Sequence, residues 1–199
     1  MTDVPCSDAT SAHFSATVLE PPLTQREYGV MILSREPISM TNFRSHITYL
    51  PERVVSARLS THRTEIEIIG VYAPARDSSP VKIERKQRFL RTLKAALQGA
   101  QVHGQIICGD LNLLEPNHVP RYTFFEDWEY AFYKDLREFG FADAFRNFHP
   151  DAREYSWVGP KGDGYRYDHC FVTHDLLSHL KGCYYLHDPR KNSAITLPL

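Results

Sequence analysis

Apolar and charged residues alternate most clearly in Glu65-Ile66-Glu67-Ile68, so a strand over 64–72 turns one face to a core and the other to water. Residues 53–60 make a similar strand, and Thr61-His62-Arg63 between the two predicts a hairpin. Two apolar runs predict buried strands: Gly29-Val30-Met31-Ile32-Leu33, stopped by Pro37, and Gln105-Ile106-Ile107-Cys108, which ends at Gly109-Asp110. The turn-rich stretch 74–80 leads into a change of period. Ile83, Leu90, Leu93 and Leu97 recur at helical spacing within 81–98, and Lys82, Arg85, Lys86, Arg88, Arg91 and Lys94 make the opposite face basic. Residues 128–139, closed by Gly140, predict a second helix, and 165–173 and 194–199 two more strands.

Residues 1–27 are rich in Ser, Thr, Ala and Pro, include Pro21-Pro22, and read as a poorly ordered or edge segment. Nothing marks a repeat or an interdomain linker, so 28–199 reads as one α/β or α+β domain with interspersed strands and helices. A chain of 199 residues hides roughly 70% of its unfolded surface and needs no disulfide or metal staple. Cys6, Cys108, Cys170 and Cys183 show no CxxC spacing and read as reduced thiols.

Charge narrows the partners: 23 Lys and Arg against 24 Asp and Glu give −1, so any contact with a polyanion depends on a local patch. The basic face over 82–94 is one such patch, or a solvated helix exterior. No apolar run approaches the ~20 residues of a membrane span. The N-terminus has neither a basic start with an apolar core nor an Arg-rich transit pattern, which leaves the cytoplasm as the expected location.

Chemistry concentrates in three places. Ile106-Ile107-Cys108-Gly109-Asp110-Leu111-Asn112 delivers an acid and an amide to the carboxyl end of a strand; in an extended chain both project to one side, where hard oxygens suit a divalent cation or a phosphoryl group. The same four residues GDLN also read as an Asx turn. In Tyr165-Arg166-Tyr167-Asp168-His169, alternation makes Arg166 and Asp168 neighbours, available for a salt bridge or for substrate, and sends His169 to the other face. Gly70-Val71-Tyr72-Ala73-Pro74 ends a strand on a tyrosine that offers a hydroxyl to a phosphate or caps the core. The aromatic residues between Tyr122 and Tyr133 read as helix packing or as stacking surface.

Together GVMILS, GVYAP, GDLN, the triplet Tyr155-Ser156-Trp157 and YRYDHCFV, in this order, resemble the endonuclease/exonuclease/phosphatase superfamily, most closely its exonuclease III and abasic-site endonuclease branch. The resemblance implies a four-layer α/β sandwich in which two mixed β-sheets pack face to face between flanking helices. It implies a metal-dependent nuclease acting on DNA, with Asp110, Asn112, Asp168 and Tyr72 as catalytic residues. Asp110 and Asn112 would hold Mg²⁺ or Mn²⁺, and Arg166, Trp157 and Tyr155 would touch substrate. A monomer without an obligate protein partner is expected.

Two departures accompany the resemblance. The family's opening strands, one bearing an Asn and the next ending in a metal-gripping Glu, have no counterpart in 1–27, so the chain reads as short of a strand–helix–strand unit of roughly 30 residues. The family's C-terminal Ser-Asp-His is also missing: 189–195 reads PRKNSAI, and His187 is the nearest substitute. These departures predict weakened catalysis. The alternatives are a degenerate nucleic-acid or phosphate-binding module, or a phosphatase of the same fold.

Overall fold

The computed structural model describes residues 28–34, 36–60, 65–99, 103–187 and, by backbone alone, 194–196. Cys6, most of the PRKNSAI stretch and the expectation that 1–27 lacks the Asn and Glu strands therefore fall outside the described residues.

The elements run β1 (Ile38–Met40), β2 (Val54–Ser60), β3 (Glu65–Tyr72), α1 (Pro80–Gln98), β4 (Gln105–Asp110), α2 (Asp127–Glu138), β5 (Phe141–Asp143), α3 (Ala144–Phe148), β6 (Trp157–Val158), β7 (Gly164–Tyr165), β8 (Asp168–Thr173), β9 (Tyr184–Leu186) and β10 (Ala194–Thr196). Six strands form one mixed sheet in the order β1-β2-β3-β4-β8-β5. Among the described strands only β3 and β4 pair in parallel, as expected of two strands joined through a helix, here α1. The predicted hairpin is present, with β2 and β3 antiparallel from Val54↔Val71 to Ser60↔Glu65. β9 and β10 form a second, small antiparallel sheet, and β6 pairs with β7.

Alternation along the strands builds the layers. Ile69, Val71, Ile107 and Phe171 face α1 and α2, meeting Phe89, Leu93, Leu97, Phe132 and Leu136 in the larger core. Ile66, Ile106, Cys170 and Val172 face the other way and pack with Phe145 of α3, Leu176, Leu180 and Tyr185 of β9. Each such buried side chain contributes roughly 1.5–3 kcal/mol. Cys108, Cys170 and Cys183 are free thiols, and burial pushes Cys108 up to about 11.

Three expectations change here. Residues 28–34 form no ladder among the described residues; Val30 and Ile32 instead lean on Gly70, where an added Cβ would lie 2.9 Å from Val30 Cγ1. The predicted strand 165–173 is two elements: Tyr165 pairs with Trp157 in β7, and the main sheet resumes only at Asp168. In the helix, Lys86 belongs to the buried face, because Glu129 of α2 supplies a counter-charge that its spacing alone does not reveal.

Candidate active site

Three strands end together at one edge of the sheet. Asp110 is the ladder partner of Tyr72 on β3 and of Asp168 on β8, which places a phenol and two carboxylates side by side. All three occupy the same face by parity, the one that carries β9. His169, one residue on, points to the α2 side, where its Nε2 lies 3.0 Å from the Leu113 carbonyl and its ring meets Tyr133. The sequence expectation that His169 does not work with Asp168 matches this placement.

The chain turns sharply around this row. Gly109 has φ +132°, and a Cβ there would sit 2.1 Å from the Val71 carbonyl oxygen, so only glycine fits. Asn112 follows in the left-handed region with φ 49°. The chain is thus not extended from 110 to 112, and it is the turn, not the pleat, that brings the two side chains together. Asn112 N–H donates to Asp110 Oδ1 at 2.8 Å, the Asx-turn reading of GDLN. Asn112 Nδ2 donates to Asp110 Oδ2 at 3.0 Å and to the Ala73 carbonyl at 2.9 Å. A carbonyl only accepts, which fixes the amide's orientation.

Despite these bonds, Asp110 is pushed up to about 7, first by burial and then by the charge of Asp168. Burial and Asp110 likewise raise the Tyr72 phenol. On β8, the Ser156 hydroxyl accepts from the backbone N–H groups of Tyr167 and Asp168 at 2.9 and 3.0 Å, and the Tyr185 hydroxyl donates to the Asp168 carbonyl at 2.6 Å. Asp168 is therefore held from both sides by its backbone.

Asp110, Asn112 and Asp168 open into a cavity of about 830 Å³ whose walls include Arg76, Lys86, Phe124, Trp157, Tyr167 and His187. Tyr72 lies beside Asp110, outside that lining. Trp157 is 48% exposed and leans on Tyr165 and Tyr167, with ring centroids 5.3 and 6.0 Å away. His187 is ion-paired with Glu154.

Two of the expected substrate contacts are placed elsewhere. Arg166 is fully buried: its guanidinium pairs with Glu115 at 2.8 Å and Asp143 at 2.6 Å, not with Asp168, because the break between β7 and β8 turns it into the interior. Tyr155 packs its ring on Gly164 and donates to the Val119 carbonyl at 2.9 Å, bracing the β6–β7 loop that carries Trp157. The aromatic stretch 122–133 divides: Phe132 and Tyr133 are core, while Phe124 is half-exposed on the cavity wall.

Sequence reasoning missed one charged group of this site. Lys86 Nζ donates to the Asn112 carbonyl and to Glu129 Oε1, each at 2.6 Å, and the other oxygen of Glu129 accepts from Arg76 Nε at 3.1 Å. Burial lowers Lys86 and Glu129 opposes it. Glu126 Oε1 lies 3.6 Å from Arg76 Nη2, so two carboxylates match the two cations of this wall, next to the acidic row. The signal in the sequence was a lysine three and four residues before Phe89 and Leu90, on the apolar side of α1.

The sequence matches the family model described as Endonuclease/Exonuclease/phosphatase family over residues 4–190. Among solved structures, the chain is similar to a 3′-5′ exonuclease from Neisseria meningitidis, with 21% identity, a TM-score of 0.68, and coverage of 84% of this chain and 73% of that one. A second likeness is to a 3′ phosphatase from Neisseria bound to product DNA hairpin, at 22% identity and TM-score 0.67 over 84% and 73% of the two chains. A third is to an AP endonuclease from Archaeoglobus fulgidus, at 23% identity and TM-score 0.64 over 82% and 71%. No curated protein sequence matches the chain. No helix among the described residues is long and apolar enough to cross a membrane.

Proposed function

The chain belongs to the endonuclease/exonuclease/phosphatase family, and from that premise we propose that it is a divalent-metal-dependent phosphodiester hydrolase of exonuclease III type that acts on DNA. The observation that carries this reading is the Asp110–Asp168 pair, flanked by Tyr72, opening into a cavity walled by aromatic rings and cations. The solved relatives that process or hold DNA support the choice of substrate.

The donor set fits a hard cation. Two carboxylates on one rung, one of them raised by burial and by the other, concentrate negative charge that a cation relieves. Mg²⁺ is satisfied by one or two protein carboxylates with water and phosphate completing its shell. Asp110 and Asp168 would hold Mg²⁺ or Mn²⁺, whereas the Asn112 amide is turned to serve Asp110. A bound divalent cation would neutralise charge on the scissile phosphate and its leaving oxygen.

The chain's own residues do the rest. Asp110 stands where it can take the proton of the attacking water, and Asn112 fixes both its oxygens for that transfer. Tyr72 donates its hydroxyl to a phosphate oxygen. Trp157 and Phe124 offer ring faces to the flanking sugars or bases. Arg76 and Lys86, on the cavity wall, offer donors to the phosphate beside the carboxylates, which would otherwise repel it.

A duplex with one abasic site, incubated with the protein in Mg²⁺ or EDTA, tests the reading. Nicking is expected in Mg²⁺ only, with Asp110→Ala slower by about 10²–10⁴-fold. Release of phosphate from a 3′-phosphorylated strand without nicking would point to the phosphatase. Binding without either reaction would make the chain a binding module and overturn the proposal.

A further inference from the structure

Arg53 immediately precedes β2, across from Tyr72 at the end of β3, and it is only 4% exposed. A buried guanidinium is normally matched by a carboxylate. Its partners among the described residues are of another kind. Its charged carbon lies 4.8 Å from the centre of the Tyr72 ring and 5.4 Å from that of Tyr28, and Nη1 donates to the Tyr72 carbonyl at 3.1 Å. The two tyrosines meet edge to face at 5.7 Å, which closes a three-membered clamp around the cation. Nε of Arg53 is buried without a hydrogen-bond partner.

Such an arrangement holds a charge out of water with no ion pair among the described residues, Glu52 favouring and Arg85 opposing the charge from further off, and its side-chain contacts converge on Tyr72. A cation–π contact is stronger when desolvated and requires the cation over the ring face. The backbone bond fixes where the Tyr72 residue sits, while the two faces restrict how its ring can rotate. The clamp also ties the segment 28–34, through Tyr28, to the end of the sheet where Tyr72 abuts Asp110.

We infer that Arg53, clamped between Tyr28 and Tyr72, is a positioning residue that fixes the orientation of the Tyr72 phenol beside Asp110. This rests on the hydrolase reading only in the consequence for rate; the orientation itself is a property of the resting protein. Guanidinium and phenol act as a unit, so removing either one costs the same alignment.

Two measurements test it. In protein labelled with ¹³C at the tyrosine ring, the Tyr72 signal, assigned by its loss in Tyr72→Phe, should move in Arg53→Met and move less in Arg53→Lys, which keeps the cation without the fork. Cleavage of the abasic duplex should fall about tenfold in kcat with KM little changed in Arg53→Met, and should not fall further when Arg53→Met is added to Tyr72→Phe. An unmoved Tyr72 signal, or losses that simply add, overturns the inference. If the wild-type protein cleaves nothing, the hydrolase reading fails and the ring signal alone decides the role of Arg53. Should Arg53→Met not fold, Arg53→Lys and Tyr28→Leu carry the same comparison.

Discussion

Asp110 and Asp168 face each other on the β4–β8 ladder, so the sheet forces together two carboxylates whose charges repel. The contact is set by strand register, and each member is secured by groups that act on it separately: Asn112 grips the Asp110 side chain, while Ser156 and Tyr185 grip the backbone of Asp168. A pair held this way stores unfavourable charge until a cation or a proton relieves it.

The pH dependence of stability should reveal that stored charge. The folded carboxyl of Asp110 lies at about 7, well above the ordinary range near 4, so between pH 4 and 7 the folded chain keeps a proton that the unfolded chain has released. Stability from this group is therefore present below about pH 4 and is lost as pH rises through 7. Asp110→Asn removes the loss. In EDTA the variant should melt a few degrees above wild type at pH 8 and level with it near pH 4, on the scale of about 2–4 °C per kcal/mol. Mg²⁺ should raise the wild-type midpoint at pH 8 and leave the variant unchanged. Equal midpoints at pH 8 would mean that the pair stores nothing.

Arg166 separates a structural role from a substrate contact. It is sealed between Glu115 and Asp143, with Tyr133 also donating to Asp143 at 2.7 Å. Arg166→Met takes the guanidinium from buried Asp143, while Glu115 keeps Arg146, and should cost about 3–5 kcal/mol, seen as a lower melting temperature. KM measured well below that temperature should stay near the wild-type value. A raised KM with unchanged melting would return Arg166 to the substrate.

How much of this was legible in the chain depends on the range of the interaction. The β2–β3 hairpin, α1 and β4 were readable because period and turn residues are local signals, and GDLN offered the acidic row as one of two readings, beside the Asx turn that it also forms. Lys86 was not readable as buried, since its partner Glu129 lies 43 residues away on α2. Arg166 failed for a related reason: alternation assumes one continuous strand, and the chain changes sheets between Tyr165 and Asp168. The run 28–34 looked like a strand because its apolar residues do pack, against Gly70, though without ladder bonds among the described residues.

Glu129 should be the least replaceable residue of the groove wall. It accepts from Lys86, Arg76 and the Glu126 backbone N–H, the last as part of the capping box of α2. Glu129→Gln leaves two buried cations facing each other and should destabilise by about 3–5 kcal/mol. The double replacement Glu129→Leu with Lys86→Met removes one of those cations as well, and should melt above the single variant. If the double variant melts lower still, packing and not charge holds the wall together.

Trp157 makes the opposite prediction, because it spends its area on solvent and on the cavity while the core beneath is complete without it. Its ring rests against Tyr165 and Tyr167, which are themselves stacked at 5.1 Å, so the platform survives when the outermost ring is removed. Trp157→Ala should leave the melting temperature within about a degree of wild type, as exposed substitutions usually do. Affinity for a short DNA strand should weaken by about 1–3 kcal/mol, the contribution of one stacked base, measured by fluorescence anisotropy in EDTA to prevent turnover. Removing the opposite wall with Phe124→Ala should weaken binding independently, since the two rings stand on different elements. Unchanged affinity in both variants would move the DNA path off this cavity, whatever the carboxylates do.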